Sequence, residues 1–266
     1  DPVNGCTAST QVDVNHSADL PNSVAEVSEQ LTCATEMVML DAGNSSGVGN
    51  LTYSWLSPSN APLSTDAQLE VNTPGIYTLI VSDESNGCTA ETTVEVMQDI
   101  NDPISDAGTG GVLSCDVSFV SLSGGNSSTG ANFAYEWLNP ANATMGTAID
   151  VEVTEAGIYT LVVTNTTNGC SQTAQVTVTP DVNLPTAEII PPLVLNCNSQ
   201  SVDLDATNSS ANGPLSYAWV DGNNMDLGTA GSIAVNTPGN YTVVITDTNN
   251  GCSAESTVEV IQDIAA

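Results

Sequence analysis

The sequence contains no lysine and no arginine, and its single histidine stands against 31 aspartates and glutamates, for a formal charge of −31. Nucleic acids and anionic membrane surfaces both attract proteins through lysine and arginine, so binding to either is excluded. Lysine–asparagine isopeptide cross-links are excluded as well, because they require a lysine. No apolar run approaches the roughly 18 residues that a membrane-spanning helix needs, so no membrane insertion is predicted.

Zinc ligands are also scarce. The seven cysteines form no Cys-x-x-Cys pair and the only histidine is His16, so a structural zinc site is not expected. Cysteines at a strict period instead predict disulfides, which indicate an oxidising compartment. We therefore predict an extracellular or cell-surface location. The acidic charge fits a saline or calcium-containing setting, and it equally fits a surface that is merely soluble.

The sequence does contain an 82-residue repeat. Tryptophans, tyrosines and two series of cysteines recur with this spacing, without insertion or deletion. They are Trp55, Trp137 and Trp219; Tyr77, Tyr159 and Tyr241; Cys33, Cys115 and Cys197; and Cys6, Cys88, Cys170 and Cys252. The period predicts repeats at 19–100, 101–182 and 183–264, preceded at 1–18 by the C-terminal strand of another repeat. We interpret the chain as part of a longer array.

Each repeat consists of short apolar–polar segments separated by turn residues. Over 51–55 the alternation puts Tyr53 and Trp55 on one face of a strand. Further strands are predicted at 37–40, 68–71, 76–81 and 92–96. An Asn-Gly pair at 86–87 is expected to join the last two with positive φ at both residues. About seven strands around one tryptophan predict an all-β chain of three tandem immunoglobulin-like (Ig-like) β-sandwiches, with the tryptophans and tyrosines in their cores.

Three segments of the first repeat resemble a polycystic-kidney-disease (PKD) domain. They are LDAGNSS at 40–46, YSW at 53–55 and PGIYTLIVSD at 74–83. The Asn-Gly-Cys-Thr ending at 86–89 is similar to repeats of giant cell-surface proteins of Bacteroidota, among them gliding-motility adhesins and other substrates of the type IX secretion system. The resemblance implies a PKD-like surface module of an adhesin, filament or stalk, without enzymatic activity.

The cysteine spacing allows two disulfide patterns. Pairing within each repeat closes a 55-residue span three times, as Cys33–Cys88, Cys115–Cys170 and Cys197–Cys252. In an Ig-like sandwich these positions lie at opposite poles, about 33 Å apart, whereas bridged Cα atoms lie within about 7 Å. In a head-to-tail array the poles of successive repeats meet, which favours the inter-repeat pairs Cys33–Cys170 and Cys115–Cys252. Cys6, Cys88 and Cys197 are then left for neighbours outside the sequence, and the within-repeat pattern remains the alternative.

The linker between the first two repeats is rich in hard oxygen ligands. Asp99, Asn101 and Asp102, with Asp106 nearby, resemble the calcium-binding linker between cadherin modules. They predict a calcium site, and a plain polar linker is the alternative. No other cofactor is expected.

Catalysis has little support, because His16 has no counterpart in the other repeats and the carboxylates fall mostly in turns and on outward strand positions. We predict a disulfide-reinforced stalk or filament of a large bacterial surface protein, and no enzyme. The alternative is an adhesin that contacts cells or glycans through the loops after each tryptophan. These loops, where the repeats differ most, are 57–66, 139–148 and 221–231. The expected partners are neighbouring repeats, further chains in a fibre, and a cell-surface or glycan target.

Overall fold

A computed structural model of the chain describes residues 2–13 and 18–263. Over these residues it contains β-strands and no helix, so the chain is all-β as predicted. Accordingly, the described part of the chain holds no helix long and apolar enough to cross a membrane. Contacts divide the chain into two compact units, Asp1–Asp102 with Asn165–Ser171 and Pro103–Thr164 with Gln172–Ala266. The domain limits read from the period stay predictions.

The described residues of the first unit form nine strands. They are β1 (Glu26–Val27), β2 (Leu31–Thr32), β3 (Val38–Asp41), β4 (Leu51–Leu56), β5 (Pro62–Ser64), β6 (Gln68–Val71), β7 (Gly75–Asp83), β8 (Thr89–Val96) and β9 (Gln98–Asp99). One sheet has the order β5-β4-β7-β8 and a second has the order β1-β3-β6, while β2 pairs in parallel with β9. Two such antiparallel sheets around one core form an Ig-like sandwich.

The core of the first unit lies between these two sheets. Along β7, Tyr77, Leu79 and Val81 are buried, and the residues between them are more exposed. This alternation follows from the strand geometry, which points successive side chains to opposite faces. Trp55 on β4 pairs with Leu79 and is 0% exposed. The opposite sheet contributes Val38, Leu40 and Val71.

Thirteen further strands follow in the described residues. They are β10 (Val112–Ser114), β11 (Val120–Ser123), β12 (Phe133–Leu138), β13 (Thr144–Gly146), β14 (Asp150–Val153), β15 (Gly157–Asn165), β16 (Ser171–Asp181), β17 (Val202–Asp205), β18 (Leu215–Asp221), β19 (Asp226–Gly228), β20 (Ser232–Val235), β21 (Gly239–Asp247) and β22 (Ser253–Val260). The larger sheets have the orders β10-β16-β15-β12-β13 and β19-β18-β21-β22, and the pairs β11-β14 and β17-β20 are the smaller sheets.

The second unit contains two hydrophobic cores, one around Trp137 and one around Trp219. Their positions follow the first core by one and by two periods of the sequence repeat. Leu40 of the first core, for example, has fully buried counterparts in Leu122 and Leu204. The repeated pattern of apolar residues therefore produces a repeated core.

Each core tyrosine stabilises the turn that precedes its strand through a hydrogen bond. The hydroxyl groups donate to the carbonyl four residues earlier: Tyr77 to Thr73 at 2.8 Å, Tyr159 to Glu155 at 2.7 Å and Tyr241 to Thr237 at 2.8 Å. Burial is the main cause that raises the pKa of Tyr77 and Tyr159. A tyrosine corner of this kind, together with a buried tryptophan on the facing strand, is a hallmark of the Ig-like fold. The chain is thus built of tandem Ig-like β-sandwich domains.

The carboxylate of Asp83, at the end of β7, fastens the loop before β4. It accepts the backbone N–H groups of Val48 at 2.7 Å and Gly49 at 2.9 Å, and the backbone N–H and hydroxyl of Ser85 at 2.9 and 2.6 Å. These bonds, led by the hydroxyl of Ser85, lower the pKa of Asp83 to about 2. Asp247 occupies the equivalent position in the third repeat and is also buried.

Candidate functional site

Disulfides join cysteines that lie 137 residues apart in sequence. The Sγ atoms of Cys33 and Cys170 are 2.02 Å apart and those of Cys115 and Cys252 are 2.01 Å apart, with Cα–Cα distances of 5.0 Å in both pairs. Under the predicted repeat limits, each bond connects a turn of one repeat to the last hairpin of the next. The bonds correspond to the inter-repeat pairs, which the sequence favours because the two cysteines of one repeat are expected at opposite poles of the sandwich.

The first cysteine of each pair lies in what we call the receiving turn, residues 32–35 and 114–117. The turn begins where β2 or β10 ends, and a hydroxyl closes it. The hydroxyl of Thr32 accepts the N–H of Thr35 at 2.9 Å, and that of Ser114 accepts the N–H of Val117 at 3.1 Å. Hydroxyl groups commonly stabilise turns by such local bonds. Cys33 and Cys115 are exposed on these turns.

The second cysteine of each pair ends what we call the tip, the Asn-Gly-Cys segments 168–170 and 250–252. The tip of the second repeat lies in a loop that is closed by the N–H of Gly169, which donates to Asn165 O at 2.8 Å. The prediction of positive φ at both Asn and Gly is wrong for the asparagines, since only the glycines adopt it, at +72° for Gly169 and Gly251. The reason is that the loop is longer than a two-residue hairpin, and the asparagine side chain folds back onto the cysteine N–H.

The tips lie so close to the receiving turns that a side chain in place of the glycine would force its neighbours to move. A Cβ at Gly169 would lie 2.6 Å from Cβ of Ala34, and one at Gly251 would lie 2.0 Å from Cγ of Asp116. Atoms of a real side chain do not approach at these distances. The glycine of each tip therefore permits both the positive φ and the close contact with the receiving turn.

Asn168 uses all of its side-chain hydrogen-bonding groups to hold the first tip in place. Its Nδ2 donates to Oδ1 of Asp99 at 3.1 Å and to the carbonyl of Asn101 at 3.0 Å, and its Oδ1 accepts the N–H of Cys170 at 3.0 Å. Its own carbonyl accepts the N–H of Ala34 at 3.2 Å. The residue is 0% exposed, and a buried amide requires such complete pairing.

Asn250 makes the same bonds in the second tip, one repeat later. Its Nδ2 donates to Oδ1 of Asp181 and to the carbonyl of Asn183, both at 3.0 Å. Its Oδ1 accepts the N–H of Cys252 at 2.9 Å, and its carbonyl accepts the N–H of Asp116 at 3.3 Å. We call each assembly of disulfide, tip, receiving turn and aspartate a joint. Sequence reasoning places these recurrent asparagines in hairpin turns and does not predict their contacts with the aspartates, although recurrence at the repeat period was a signal that could have pointed to a structural role.

Hydrogen bonds lower the pKa of both joint aspartates. For Asp99 the backbone N–H of Asn101 contributes most, followed by the amide of Asn168. For Asp181 the amide of Asn250 contributes most, followed by the side chain of Asn183. N–H donors favour the ionised carboxylate, so both groups are anionic at neutral pH and accept charge-assisted bonds.

Two of the predicted calcium ligands take part in the first joint. Oδ1 of Asp99 accepts the side-chain amide of Asn101 at 2.8 Å as well as that of Asn168, and the carbonyl of Asn101 is also an acceptor. Both residues therefore already hold the tip.

The other two predicted ligands belong to different units. Asp102 lies in the first unit, with its ligand atoms and those of Cys33 and Cys170 all within 4.8 Å of one another. The two sulfurs are bonded to each other and offer no thiolate to a metal. Asp106 lies in the second unit, and its Oδ1 accepts the N–H of Gly108 at 2.8 Å. Calcium binding at these positions stays a prediction, which titration calorimetry at millimolar calcium tests.

The remaining cysteines repeat parts of the joint. Within the described residues neither Cys88 nor Cys197 forms a disulfide. Cys88 is half-buried and Cys197 is exposed. Cys6 is also exposed, and its N–H donates to Oδ1 of Asn4 at 3.0 Å, as in the tips. His16 lies outside the described residues.

Each repeat also has a surface depression beside the loop that follows its tryptophan. The volumes are about 460, 240 and 230 Å³ in the first, second and third repeats. Their walls differ in chemistry: Pro58 and Leu63 in the first, Asn139 and Met145 in the second, and Asp221 and Asn223 in the third.

No protein-family model matches the sequence, and no curated protein sequence is significantly similar to it. Among solved structures, the chain is similar to three N-terminal domains of the Highly Immunogenic Outer Capsid protein (Hoc) of bacteriophage RB49. That similarity has 14% identity and a TM-score of 0.37, and covers 94% of this chain and 100% of the other. An I-band fragment of titin, I67–I69, has 11% identity and a TM-score of 0.35, and the similarity covers 92% of this chain and 97% of the titin fragment. Extracellular domains 3–5 of Drosophila OTK have 13% identity and a TM-score of 0.31, covering 94% and 100%. With TM-scores below 0.5, these similarities carry no information about function.

Proposed function

We propose that the chain is a structural segment of an extracellular protein, in which disulfides tie each Ig-like repeat to the next and so form a stalk or filament. The repetition of one joint carries the proposal. The same cysteine pair, buried asparagine and aspartate recur one repeat apart. A spacer gains length by repeating one unit and one connection, whereas a recognition site diverges between copies.

The joint suits a chain that carries tension. A pull on the ends of the chain crosses from Cys33 to Cys170 and from Cys115 to Cys252 through covalent bonds. Because the two bridged spans overlap over residues 115–170, the tension passes through that segment and bypasses the stretches 33–115 and 170–252. An Ig-like domain without a disulfide resists a pull through hydrogen bonds and side-chain packing, and a single hydrogen bond or buried side chain contributes a few kcal/mol at most.

The surrounding chemistry supports a role outside the cell. Disulfides persist in oxidising compartments, and a charge of −31 without lysine or arginine keeps a long array soluble. The PKD-like segments at 40–46, 53–55 and 74–83 and the Asn-Gly-Cys-Thr ending support a large surface protein of Bacteroidota as its source. The proposed role is non-catalytic.

Single-molecule pulling of the full chain by its ends tests the proposal. We expect the oxidised chain to reach its maximum extension on the order of 50 nm earlier than the reduced chain, because the bridges bypass most of the backbone. A variant carrying Cys33→Ser and Cys115→Ser should extend like the reduced chain. Cys197→Ser removes a cysteine outside both bonds and should extend like the oxidised wild type. Equal extension of the oxidised and reduced chains would overturn the proposal.

A second candidate function is adhesion through the depressions beside the post-tryptophan loops. Their different walls favour it, because binding surfaces diverge between repeats while the joints do not. Leu63 and Met145 are 48% and 38% exposed at the edges of the first and second depressions. Exposed apolar side chains next to polar loops are common in binding surfaces.

Capture of cells and of a glycan array by the full chain tests this second function. Adhesion predicts binding that falls in the variants Leu63→Ser or Met145→Ser and persists in Met37→Ser, a matched change of an exposed residue far from the loops in sequence. A chain that captures neither cells nor glycans contradicts adhesion and leaves the structural role as the sole candidate.

A further inference from the structure

Each joint contains an asparagine followed by a glycine, a pair that is chemically labile. Glycine has no Cβ to hinder attack of its backbone nitrogen on the side-chain Cγ of the asparagine before it, and this attack releases the side-chain amide. The joints hold Asn168-Gly169 and Asn250-Gly251. Further Asn-Gly pairs of the sequence are at 4–5, 86–87 and 212–213.

The closed joint keeps Asn168 from this reaction. Attack requires the side chain to turn until its Cγ meets the nitrogen of Gly169. The side chain is held against such a turn, because Nδ2 donates to Asp99 at 3.1 Å and to the carbonyl of Asn101 at 3.0 Å. Its Oδ1 is held as well, by the N–H of Cys170 at 3.0 Å. At 0% exposure the residue is also out of reach of water.

The second joint protects Asn250 in the same way. Its Nδ2 donates to Asp181 and to the carbonyl of Asn183, both at 3.0 Å, and the residue is 2% exposed. The attacking nitrogen is occupied in both joints, because the N–H of each tip glycine donates to the carbonyl four residues earlier at 2.8 Å. Reaction at either asparagine therefore requires the joint to open first.

The pair Asn212-Gly213 shows the same dipeptide outside a joint. Asn212 is exposed, and its side chain makes no hydrogen bond within the described residues. The N–H of Gly213 donates to Oδ2 of Asp247 at 3.0 Å, so the attacking nitrogen is occupied as it is in the joints. The joint pairs therefore differ from this pair in the burial of the asparagine and in the bonds of its side chain, which makes Asn212 an internal reference.

We infer that Asn168 and Asn250 are latent deamidation sites, which the closed joint protects and which make the opening of a joint permanent. Once the disulfide is reduced and the tip leaves its receiving turn, the asparagine loses the partners that hold it. Its conversion to aspartate or isoaspartate then prevents the joint from closing again. The inference goes beyond the proposed function, since it concerns the joints alone and holds for any role of the chain.

The reaction consumes only water. The nitrogen of Gly169 bonds to Cγ of Asn168 while the bond from Cγ to Nδ2 breaks, which forms a five-membered succinimide ring. The amide nitrogen leaves as ammonia and takes the proton of the glycine N–H. Water then opens the ring at either carbonyl, and the product is aspartate or isoaspartate. At neutral pH the new carboxyl group gives its proton to ammonia, so one ammonium ion is released and the chain gains one negative charge.

Neither product fits the closed joint. An ionised aspartate at position 168 has acceptors and no donor, so it would turn an oxygen toward Asp99 and the carbonyl of Asn101, where Nδ2 now donates. Two carboxylates at such a distance repel each other, and the chain has no lysine or arginine to lie between them. Isoaspartate instead lengthens the main chain before Cys170 by one carbon, whereas a disulfide requires a narrow range of geometries.

Incubation of the oxidised full chain at mildly alkaline pH tests the protection. Pepsin then cleaves the chain in acid, where deamidation is slow and where the absence of lysine and arginine does not matter, and mass spectrometry locates the added mass. We expect Asn212 to react at least about tenfold faster than Asn168 and Asn250, because a protected site reacts only in its open fraction. Each factor of ten corresponds to about 1.4 kcal/mol of opening free energy.

The same chain, reduced and kept in concentrated urea, gives the rates without protection. All three asparagines should then react at similar rates. If Asn168 and Asn250 react as fast in the native oxidised chain as in urea, the joints give no protection and the inference is overturned. Shortened extension of that oxidised chain in the pulling experiment would still leave the proposed function in place.

A variant that opens the first joint alone tests the role of the joint. Cys33→Ser combined with Asp99→Ala should raise the rate at Asn168 at least about tenfold and leave Asn250 at its wild-type rate. An unchanged rate at Asn168 would contradict the inference. A variant that fails to fold would expose both asparagines, and the comparison of the native and urea-treated wild type then decides.

The matched control opens the second joint. Cys115→Ser combined with Asp181→Ala removes the same two groups one repeat later, so the rate should rise at Asn250 and stay at the wild-type value at Asn168. A rise at both asparagines in both folded variants would mean that a general loss of stability, and not the local joint, sets the rates.

Asn168→Asp tests whether the product keeps the joint open. In a buffer of reduced and oxidised glutathione, we expect the equilibrium constant for closing the Cys33–Cys170 bond to be roughly tenfold lower than in Asn168→Ala. Both variants lack the amide donors, and only Asn168→Asp adds a carboxylate beside Asp99. The Cys115–Cys252 bond of the same chains is the internal reference and should close as in the wild type. Equal constants for the two variants would contradict the permanence of opening.

Discussion

The side-chain amide of Asn168 donates to the carboxylate of Asp99 at 3.1 Å, across 69 residues of sequence. Asn250 and Asp181 repeat this contact at 3.0 Å. In a chain without lysine or arginine, the side-chain and backbone donors available to a structural carboxylate are mainly amides, hydroxyls and backbone N–H groups. The buried asparagine therefore takes the place that an arginine often has at such a contact, and it complements the neighbouring disulfide.

Asn168→Ala should destabilise the first unit by about 2–4 kcal/mol, because it leaves the carboxylate of Asp99, the carbonyl of Asn101 and the N–H of Cys170 without this partner. Chemical denaturation under oxidising conditions measures the change. The matched control is Asn86→Ala, at a half-buried tip that lacks the aspartate contact, and it should cost about 1 kcal/mol. Equal losses in the two variants would contradict the role given to Asp99.

Cys33→Ser and Cys170→Ser should each lower the free energy of unfolding by about 5 kcal/mol in the chain-entropy model, because the bond closes a loop of well over ~100 residues. The double variant should lose no more than either single variant, since all three lack the same bond. Thermal and denaturant unfolding of the four proteins measures this.

Cys197→Ser is the control for the disulfide variants and should unfold like the wild type, because Cys197 is exposed and outside both bonds. Additive losses in the double variant would mean that Cys33 and Cys170 have different partners. Peptide mapping of the oxidised wild type identifies those partners directly.

Asp83 should make the first unit sensitive to acid. Its pKa is lowered from 3.8 to about 2 in the folded chain, so its contribution to stability is fully present above about pH 4 and is lost as the pH falls toward 2. In Asp83→Asn the thermal midpoint should be lower at neutral pH and should change less between pH 4 and 2. The control is Glu70→Gln, an exposed carboxylate on β6, which should keep the wild-type slope. If the thermal midpoints of all three proteins fell equally between pH 4 and 2, the acid sensitivity would not come from Asp83.

Tyr159→Phe should cost about 1 kcal/mol, because it removes the hydroxyl that donates to Glu155 O and leaves that carbonyl without this donor. Denaturant unfolding monitored by tryptophan fluorescence measures the loss. Tyr53→Phe is the control, since its hydroxyl makes no hydrogen bond within the described residues, and it should change stability little. A similar loss in both variants would mean that ring packing, and not the tyrosine corner, is affected.

The Ig-like fold is predictable from the sequence because its signals are local. Alternation over 51–55 predicts the strand at Leu51–Leu56, and the segment 68–71 is a strand with those same limits. The predicted strand at 92–96 begins earlier, at Thr89, because hydrogen bonds to β7 extend the pairing through Thr89, Ala90 and Glu91, which show no strong apolar signal. The short strand at Pro62–Ser64 is not predicted, since proline argues against a strand except at a sheet edge, where this one lies.

The joint is only partly predictable. The cysteine pairs follow from the positions of turns in an Ig-like sandwich and from the period of the sequence repeat. The bond from Asn168 to Asp99 does not follow, because no local pattern links residues 69 positions apart. The aspartates and asparagines of the linker instead suggest calcium ligands, since an oxygen-rich linker looks the same in sequence whether its oxygens accept N–H groups or bind a cation.

The closed loops of the disulfides overlap between Cys115 and Cys170. Every peptide bond from Cys33 to Cys252 is therefore enclosed by at least one bridge, and the bonds in the shared stretch are enclosed by both. A protease that cuts the chain once within these limits separates no fragment, because the pieces on either side of the cut stay covalently attached. A single cut in an exposed loop therefore leaves the chain covalently continuous, and the pieces separate only when every bridge that spans the cut is reduced.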